Sequence, residues 1–349
     1  GGMAADCRSK SLGLVVVISM RGGPETGDHR VSKMATPARL GVTIMNPLTD
    51  DLPRPLISLF ALPKPFTGES RLLQENALSS WSQLGHEVQL MLAGDDEGVE
   101  QAASKYGADY LGPLRKNEQG TPFVDHLFEL AHGNARGELL LYTNADILFF
   151  PDLLEAARDL TQQGLREFLA IGRRWDLDVH ERVPRGASDW KDWHENARLD
   201  RELAPMVCKD YFLFSRQLYS QVPNFLVGRG NWDNWMVHQA KTSGVPVVDL
   251  TKWVTAIHQN HGYGHSGGRL ATYLTGSEAR HNERVGGGRH VISGAGANWE
   301  LTHDRQLNQI RPHWRFVRDL PKFFGLLKSF MQRSPKGLRS LSSKEVNTL

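Results

Sequence analysis

The sequence predicts an α/β protein built on a mostly parallel sheet flanked by helices. Short apolar runs alternate with stretches of helical spacing about four times between residues 55 and 163. Such alternation implies parallel strands with helices on both faces. Carboxylates also gather where the runs end, at Asp95, Asp96 and Asp146, which is the side on which open sheets of this kind bind ligands.

The first run, 55–61, reads as a strand that Pro63, Pro65 and Gly68 break. Residues 71–84 then place Leu72, Leu73, Ala77, Leu78, Trp81 and Leu84 at helical spacing. A second strand at 87–92 stops at Gly94, a helix fits 98–106, and a third strand fits 109–111. Residues 123–132 form another amphipathic helix, and 139–142 a fourth strand that ends in Asn144 and Asp146 around a small Ala145. Pro151 and Asp152 open a helix over 152–163. The half from 165 to 305 is richer in Trp, His and Gly. Strands are expected there at 168–171, 210–214, 246–250 and 253–257, with a Trp-rich helical insert near 189–201 and a helix over 235–241.

Composition excludes several classes. The chain has 349 residues, 41 basic against 39 acidic, a net charge of +2 that argues against nucleic-acid binding. Cys7 and Cys208 are too few for a disulfide scaffold or a thiolate zinc site, so a reducing, cytoplasmic setting is expected. No run reaches the roughly 20 apolar residues of a spanning helix. Residues 1–52 lack periodicity and read as a mobile leader with one stray strand at 14–18. Residues 306–349 form a basic amphipathic tail in which Phe323, Phe324, Leu326, Leu327, Phe330 and Met331 share a helical face ringed by Lys and Arg. That face either packs on the body of the protein or makes peripheral contact with an anionic membrane.

Four constellations can carry chemistry. A strand that ends in Asn144 and Asp146 offers oxygen ligands to a hard divalent cation, or else Asp146 is a turn residue before the next helix. Residues 228–235, GRGNWDNW, form a shaped loop running into a helix. There Asp233 sits between two tryptophans, where an apolar wall favours a general base, unless it only caps the helix. Residues 258–265, HQNHGYGH, bring three imidazoles together at His258, His261 and His265, without the H-E-x-x-H pattern of a zinc protease. Arg173 and Arg174 beside Gly172 suit phosphate or carboxylate recognition, or form surface ion pairs. No Walker A or G-x-G-x-x-G loop is present.

Together these pieces resemble a nucleotide-sugar-dependent glycosyltransferase of the GT-A fold over residues 55–300. The resemblance implies a Rossmann-like catalytic domain over 53–305, with a nucleotide-binding half at 53–164 and a His- and Trp-rich acceptor half at 165–305. It makes Asn144-Ala-Asp146 a variant of the family's Asp-x-Asp motif, with Asp146 as the direct ligand of Mn2+ or Mg2+ and His258, His261 or His265 as its partner. It casts Asp233, 87 residues after Asp146, as the base of an inverting transfer, with a retaining route left open. Asp95 would meet the base of the nucleotide, Ala61, Pro63 and Arg71 would line its cleft, and Asn144, Arg173 and Arg174 would assist at the donor. Trp175, Asp176, Trp232 and Trp235 would face the acceptor, a carbohydrate or glycoconjugate, though the tryptophans equally suit a core. A sugar nucleotidyltransferase, a metallohydrolase built on the His cluster and a carbohydrate-binding module are the rival readings. The first is disfavoured because no Gly-rich, Arg-containing loop follows the first strand.

Overall fold

The structure is a computed structural model that describes residues 54–184, 187–197, 201–204, 209–261, 276–290 and 296–310. Strands β1 (Ile57–Ala61), β2 (Val88–Ala93), β3 (Asp109–Gly112) and β4 (Leu139–Thr143) alternate with helices α1 (Gly68–Ser82), α2 (Val99–Tyr106) and α3 (Val124–Asn134). Next come β5 (Ile147–Leu148), α4 (Asp152–Thr161), β6 (Leu169–Ile171), β7 (Trp175–Leu177), α5 (Ala187–Ala197), β8 (Glu202–Leu203) and β9 (Tyr211–Ser215). The described chain continues through α6 (Trp232–Thr242), β10 (Val247–Asp249), β11 (Ile257–Gln259), α7 (Ser277–Val285), β12 (Trp299–Leu301) and β13 (Leu307–Gln309).

Nine of these strands make one large sheet in the order β13-β12-β10-β6-β9-β4-β1-β2-β3. β1 pairs in parallel with both β2 and β4, and β10 in parallel with β6 and β12. β9 alone runs against both neighbours inside the sheet, and β13 runs against β12 at its edge. The first half is therefore doubly wound: the chain steps outward from β1 through β2 to β3 and then returns through α3 to β4 on the other side of β1, so the strand order reverses between β1 and β4, the place where open sheets of this kind bind ligands.

Period-two alternation divides the core into two layers. Ile57, Leu59, Leu139, Leu141, Tyr211 and Leu213 face one layer, closed by α1, α2 and α4. Phe60, Leu140, Tyr142, Phe212 and Phe214 face the other, closed by α3 and α6. Both faces being covered explains why the strands read as unbroken apolar runs. The second layer is aromatic: Phe128 lies edge-on to Phe60 at 5.2 Å and stacks on Phe214 at 5.9 Å.

The expected elements of the first half are all present within a few residues of their expected ends. The strand expected at 253–257 needs correction. Asp249 Oδ1 accepts the Thr251 N–H at 2.9 Å and Leu250 carbonyl accepts the Trp253 N–H at 2.8 Å, so the chain turns there and strand begins only at Ile257. The leader, the tail from 311 onward, Cys7, Cys208 and His265 lie outside the described residues. Among the described residues no helix is long and apolar enough to cross a membrane.

Candidate functional site

A second, small sheet in the order β5-β11-β7-β8 sits where β4 ends and builds the site. Its registers place His258 of β11 opposite both Ile147 of β5 and Asp176 of β7. Asp146 directly precedes β5, and His261 lies two residues beyond β11. One ligand atom from each of Asp146, His258 and His261 falls within 4.8 Å of the others. His261 Nε2 is 3.5 Å and His258 Nε2 4.0 Å from Asp146 Oδ2.

Buried amides hold this geometry. Gln259, fully buried, donates through Nε2 to the Leu73 carbonyl at 2.8 Å and to the Asp146 carbonyl at 3.1 Å. Its Oε1 accepts from Asn76 Nδ2 at 2.9 Å, and Asn76 Oδ1 accepts the Val183 N–H at 3.0 Å. Trp81 Nε1 donates to the Ile147 carbonyl at 2.8 Å. Helix α1 thus pins the turn that carries Asp146 to the strand that carries His258. This is why polar side chains stand inside a helix buried from Leu73 to Trp81.

A further set of groups orients the ligands themselves. His258 Nδ1 lies 3.0 Å from Asp176 Oδ1, an arrangement that puts the proton on Nδ1 and leaves the Nε2 lone pair toward Asp146. Arg174 donates from Nε to Asp176 at 2.8 Å and from Nη1 to Asp210 at 2.7 Å. Asn144 Nδ2 donates to Asp210 Oδ1 at 2.6 Å. Burial works to raise the Asp176 carboxyl, but His258 and Arg174 outweigh it and hold the group below its ordinary range. Burial likewise opposes ionisation of Asp146, and His261, His258 and Lys64 together overcome it. The other carboxylate oxygen, Asp146 Oδ1, is buried and has no hydrogen-bond partner among the described residues. An ionised carboxylate whose Oδ2 faces two imidazoles, and whose Oδ1 is buried without a partner among the described residues, is a donor set suited to a divalent cation.

Asp233 lies in the first turn of α6, half-buried, with Oδ1 also buried and unpartnered among the described residues. Its position relative to the cluster is marked by Tyr142. That hydroxyl is pushed well above its ordinary value, by burial first and then by the charges of Asp210, Asp146 and Asp233. The charges of three carboxylates thus act on one phenol at the end of β4.

Other expected site residues have different surroundings. Trp232 and Trp235 are buried in the aromatic layer, Trp232 edge-on to Tyr142 at 5.0 Å and Trp235 against Phe225 at 5.3 Å. Both rings therefore pack in the core, one of the two readings that the sequence left open. Trp175 is half-buried with the Arg201 guanidinium 4.1 Å over its ring, and Asp176 orients His258. Arg173 donates from Nε to the Ala204 carbonyl at 2.6 Å, and Arg174 is held between two carboxylates, so both organise the protein's own frame. Gly172, just before them, is required by space: a Cβ there would run into the Tyr211 hydroxyl. Ala61 and Pro63 are buried at the end of β1, beside β4. Arg71 pairs with Glu75 at 3.2 Å and lines a cleft of about 230 Å³ between α1 and α2. Asp95, two residues beyond β2, forms an ion pair with Lys116 at 2.5 Å, which holds its carboxyl below the usual range. Asp210, Lys64, Asn76 and Gln259 were missed from sequence. Gln259 alone carried a signal, its place inside the HQNH block.

No family model matches the sequence, and no curated protein matches it. Among solved structures the chain is similar to glucosyl-3-phosphoglycerate synthase from Mycobacterium tuberculosis. In the complex with Mn2+, uridine-diphosphate-glucose and phosphoglyceric acid, 17% of aligned residues are identical over 64% of this chain and 79% of that one, with a TM-score of 0.39. In the complex with Mg2+ and uridine-diphosphate, the identity is 15% over 74% of this chain and 87% of that one, again with a TM-score of 0.39.

Proposed function

We propose that the chain is a metal-dependent glycosyltransferase that moves a sugar from a nucleotide-diphosphate sugar to an acceptor hydroxyl. The observation that carries the reading is the convergence of Asp146, His258 and His261 at the carboxyl end of β4, with Asp146 Oδ2 3.5 Å from His261 Nε2 and 4.0 Å from His258 Nε2. Asp146, His258 Nε2 and His261 Nε2 would hold Mn2+ or Mg2+. A bound divalent ion supplies electrostatic stabilisation to the charge that develops on a departing diphosphate.

The chain's own groups supply the rest. Lys64, on the loop after β1, has a positive charge that acts on Asp146 and would also favour a bound phosphate. Asp233 Oδ1, without a protein donor among the described residues, is the acceptor for the proton of the attacking hydroxyl. The loop after β1, with Ala61 and Pro63 at its base, forms one wall of the crevice in which the donor lies, as open α/β sheets bind ligands between strands that diverge. Attack opposite the leaving diphosphate would invert the anomeric centre.

The test is turnover of a panel of nucleotide sugars with Mn2+, followed by release of nucleoside diphosphate. Asp146→Ala and Asp233→Asn are each expected to abolish most transfer, and Asp233→Asn to leave Mn2+ binding in place. Full transfer by Asp146→Ala would remove the metal from the reaction. Equal product release in the absence of any acceptor would favour the metallohydrolase reading.

A further inference from the structure

Asn144 stands where the resembling family carries a carboxylate, and loss of a ligand is the simple explanation. The geometry points elsewhere. Asn144 Nδ2 donates to Asp210 Oδ1 at 2.6 Å, and the Asn144 N–H bonds the Asp210 carbonyl at 3.1 Å, so side chain and backbone both lock onto one residue of the neighbouring segment. Tyr142 hydroxyl donates to Asn144 Oδ1 at 3.3 Å, which fixes the amide with its NH2 toward Asp210. The other Asp210 oxygen accepts from Arg174 Nη1 at 2.7 Å. Arg174 Nε meets Asp176 Oδ1 at 2.8 Å, and that same oxygen meets His258 Nδ1 at 3.0 Å. The chain of contacts is continuous, and Arg174, Asp210 and Asp176 are each no more than 27% exposed.

We propose that Asn144 is a positioning residue for the metal centre, acting through the relay Asn144–Asp210–Arg174–Asp176–His258. The inference rests on the metal-centre reading above. An amide is needed at 144 because it must give a hydrogen bond to a carboxylate already present. A carboxylate at 144 has no proton to give and would set two negative oxygens at the spacing of the present hydrogen bond. Asp210 would swing away, Arg174 would follow the charge, and Asp176 would lose the partner that keeps it under His258. The relay thus supplies by geometry what a first-position carboxylate supplies by direct ligation. It leaves a centre of one carboxylate and two imidazoles.

The simple explanation and this proposal predict opposite signs for one substitution. If Asn144 is a lost ligand, Asn144→Asp restores it and tightens Mn2+. If Asn144 positions the relay, Asn144→Asp weakens Mn2+, by roughly 10- to 100-fold as outer partners of metal ligands typically do. The experiment is titration of the full chain with MnCl2, read by the electron paramagnetic resonance of free Mn2+, with a melting curve for each variant. The double variant N144D/D210N exchanges donor and acceptor at the same net charge, and is expected to recover much of the lost affinity. Asn144→Ala, which removes the donor without adding charge, is expected to weaken Mn2+ as well, and tests the relay if N144D does not fold. Affinity equal to or above that of the wild type in N144D, or in N144A, overturns the proposal. So does a double variant as weak as N144D. Asp146→Ala serves as the separate control: Mn2+ binding that survives it unchanged overturns the metal centre itself, whereas its loss beside an unaffected N144D overturns only the relay.

Discussion

Asp176→Asn should weaken metal binding without unfolding the protein. Asp176 Oδ1 is shared by His258 Nδ1 at 3.0 Å and Arg174 Nε at 2.8 Å. The amide keeps the shape of the side chain and removes its charge. The His258 ring then loses the anion that fixes its tautomer and orientation. Loss of such an outer partner typically costs about 10- to 100-fold in metal affinity, or roughly 1.4 to 2.7 kcal/mol. Arg174 keeps its contact with Asp210 at 2.7 Å, so β7 should stay in place and the melting temperature of the metal-free protein should change little. Calorimetric titration with Mn2+ at fixed pH, beside a melting curve, measures both quantities. Unchanged affinity would refute the orienting role of Asp176. An equal loss of affinity and of metal-free stability would mean that Asp176 holds the fold and not the ligand.

Three further outcomes are expected. Because two imidazoles accompany a single carboxylate, Mn2+ and Co2+ should bind more tightly than Mg2+, which prefers all-oxygen sites; competition titrations give the order, and a preference for Mg2+ would contradict the donor set. Burial pushes the Asp152 carboxyl up to about 6 from 3.8. Between those values the folded chain holds a proton that the unfolded chain has released, so this group favours folding at acid pH and the advantage is lost as pH rises through about 6. Asp152→Asn, whose carbonyl can still accept the Thr255 N–H, should therefore gain on the order of 2 kcal/mol at pH 8 and almost nothing at pH 4, as read by urea unfolding; equal effects at both would contradict the assignment. Finally, Gly172→Ala drives a Cβ into the buried Tyr211 hydroxyl and should cost about 1 to 3 kcal/mol of stability, whereas a neutral result would mean β6 and β9 can part.

The parallel half of the fold was legible because its strands are covered on both faces and α2, α3 and α4 bury one stripe each. Leu139 to Tyr142 and Ile57 to Ala61 could hardly be anything but buried strands. The small sheet was not legible. β5 and β8 have two residues and β7 three, too few to show a period, and their pairing partners lie far apart in sequence. Asp146, His258 and His261 could be found because they stand at a strand end and in a dense imidazole block. The partners of Arg174 and Asp176 were not legible for a physical reason: sequence shows a charge but not what it faces, and Asp210 and His258 lie far from them along the chain. Trp232 and Trp235 were ambiguous in the same way, since an aromatic ring next to a carboxylate serves a core as readily as a sugar.

One titration bears most directly on the whole account. Mn2+ added to the wild-type chain and to Asp146→Ala, each with and without inorganic pyrophosphate, is followed by calorimetry. The expected result is one Mn2+ per wild-type chain, tightened by the pyrophosphate and absent from the variant. Identical binding curves for the two proteins would contradict the claim that Asp146, His258 and His261 close on a single ion.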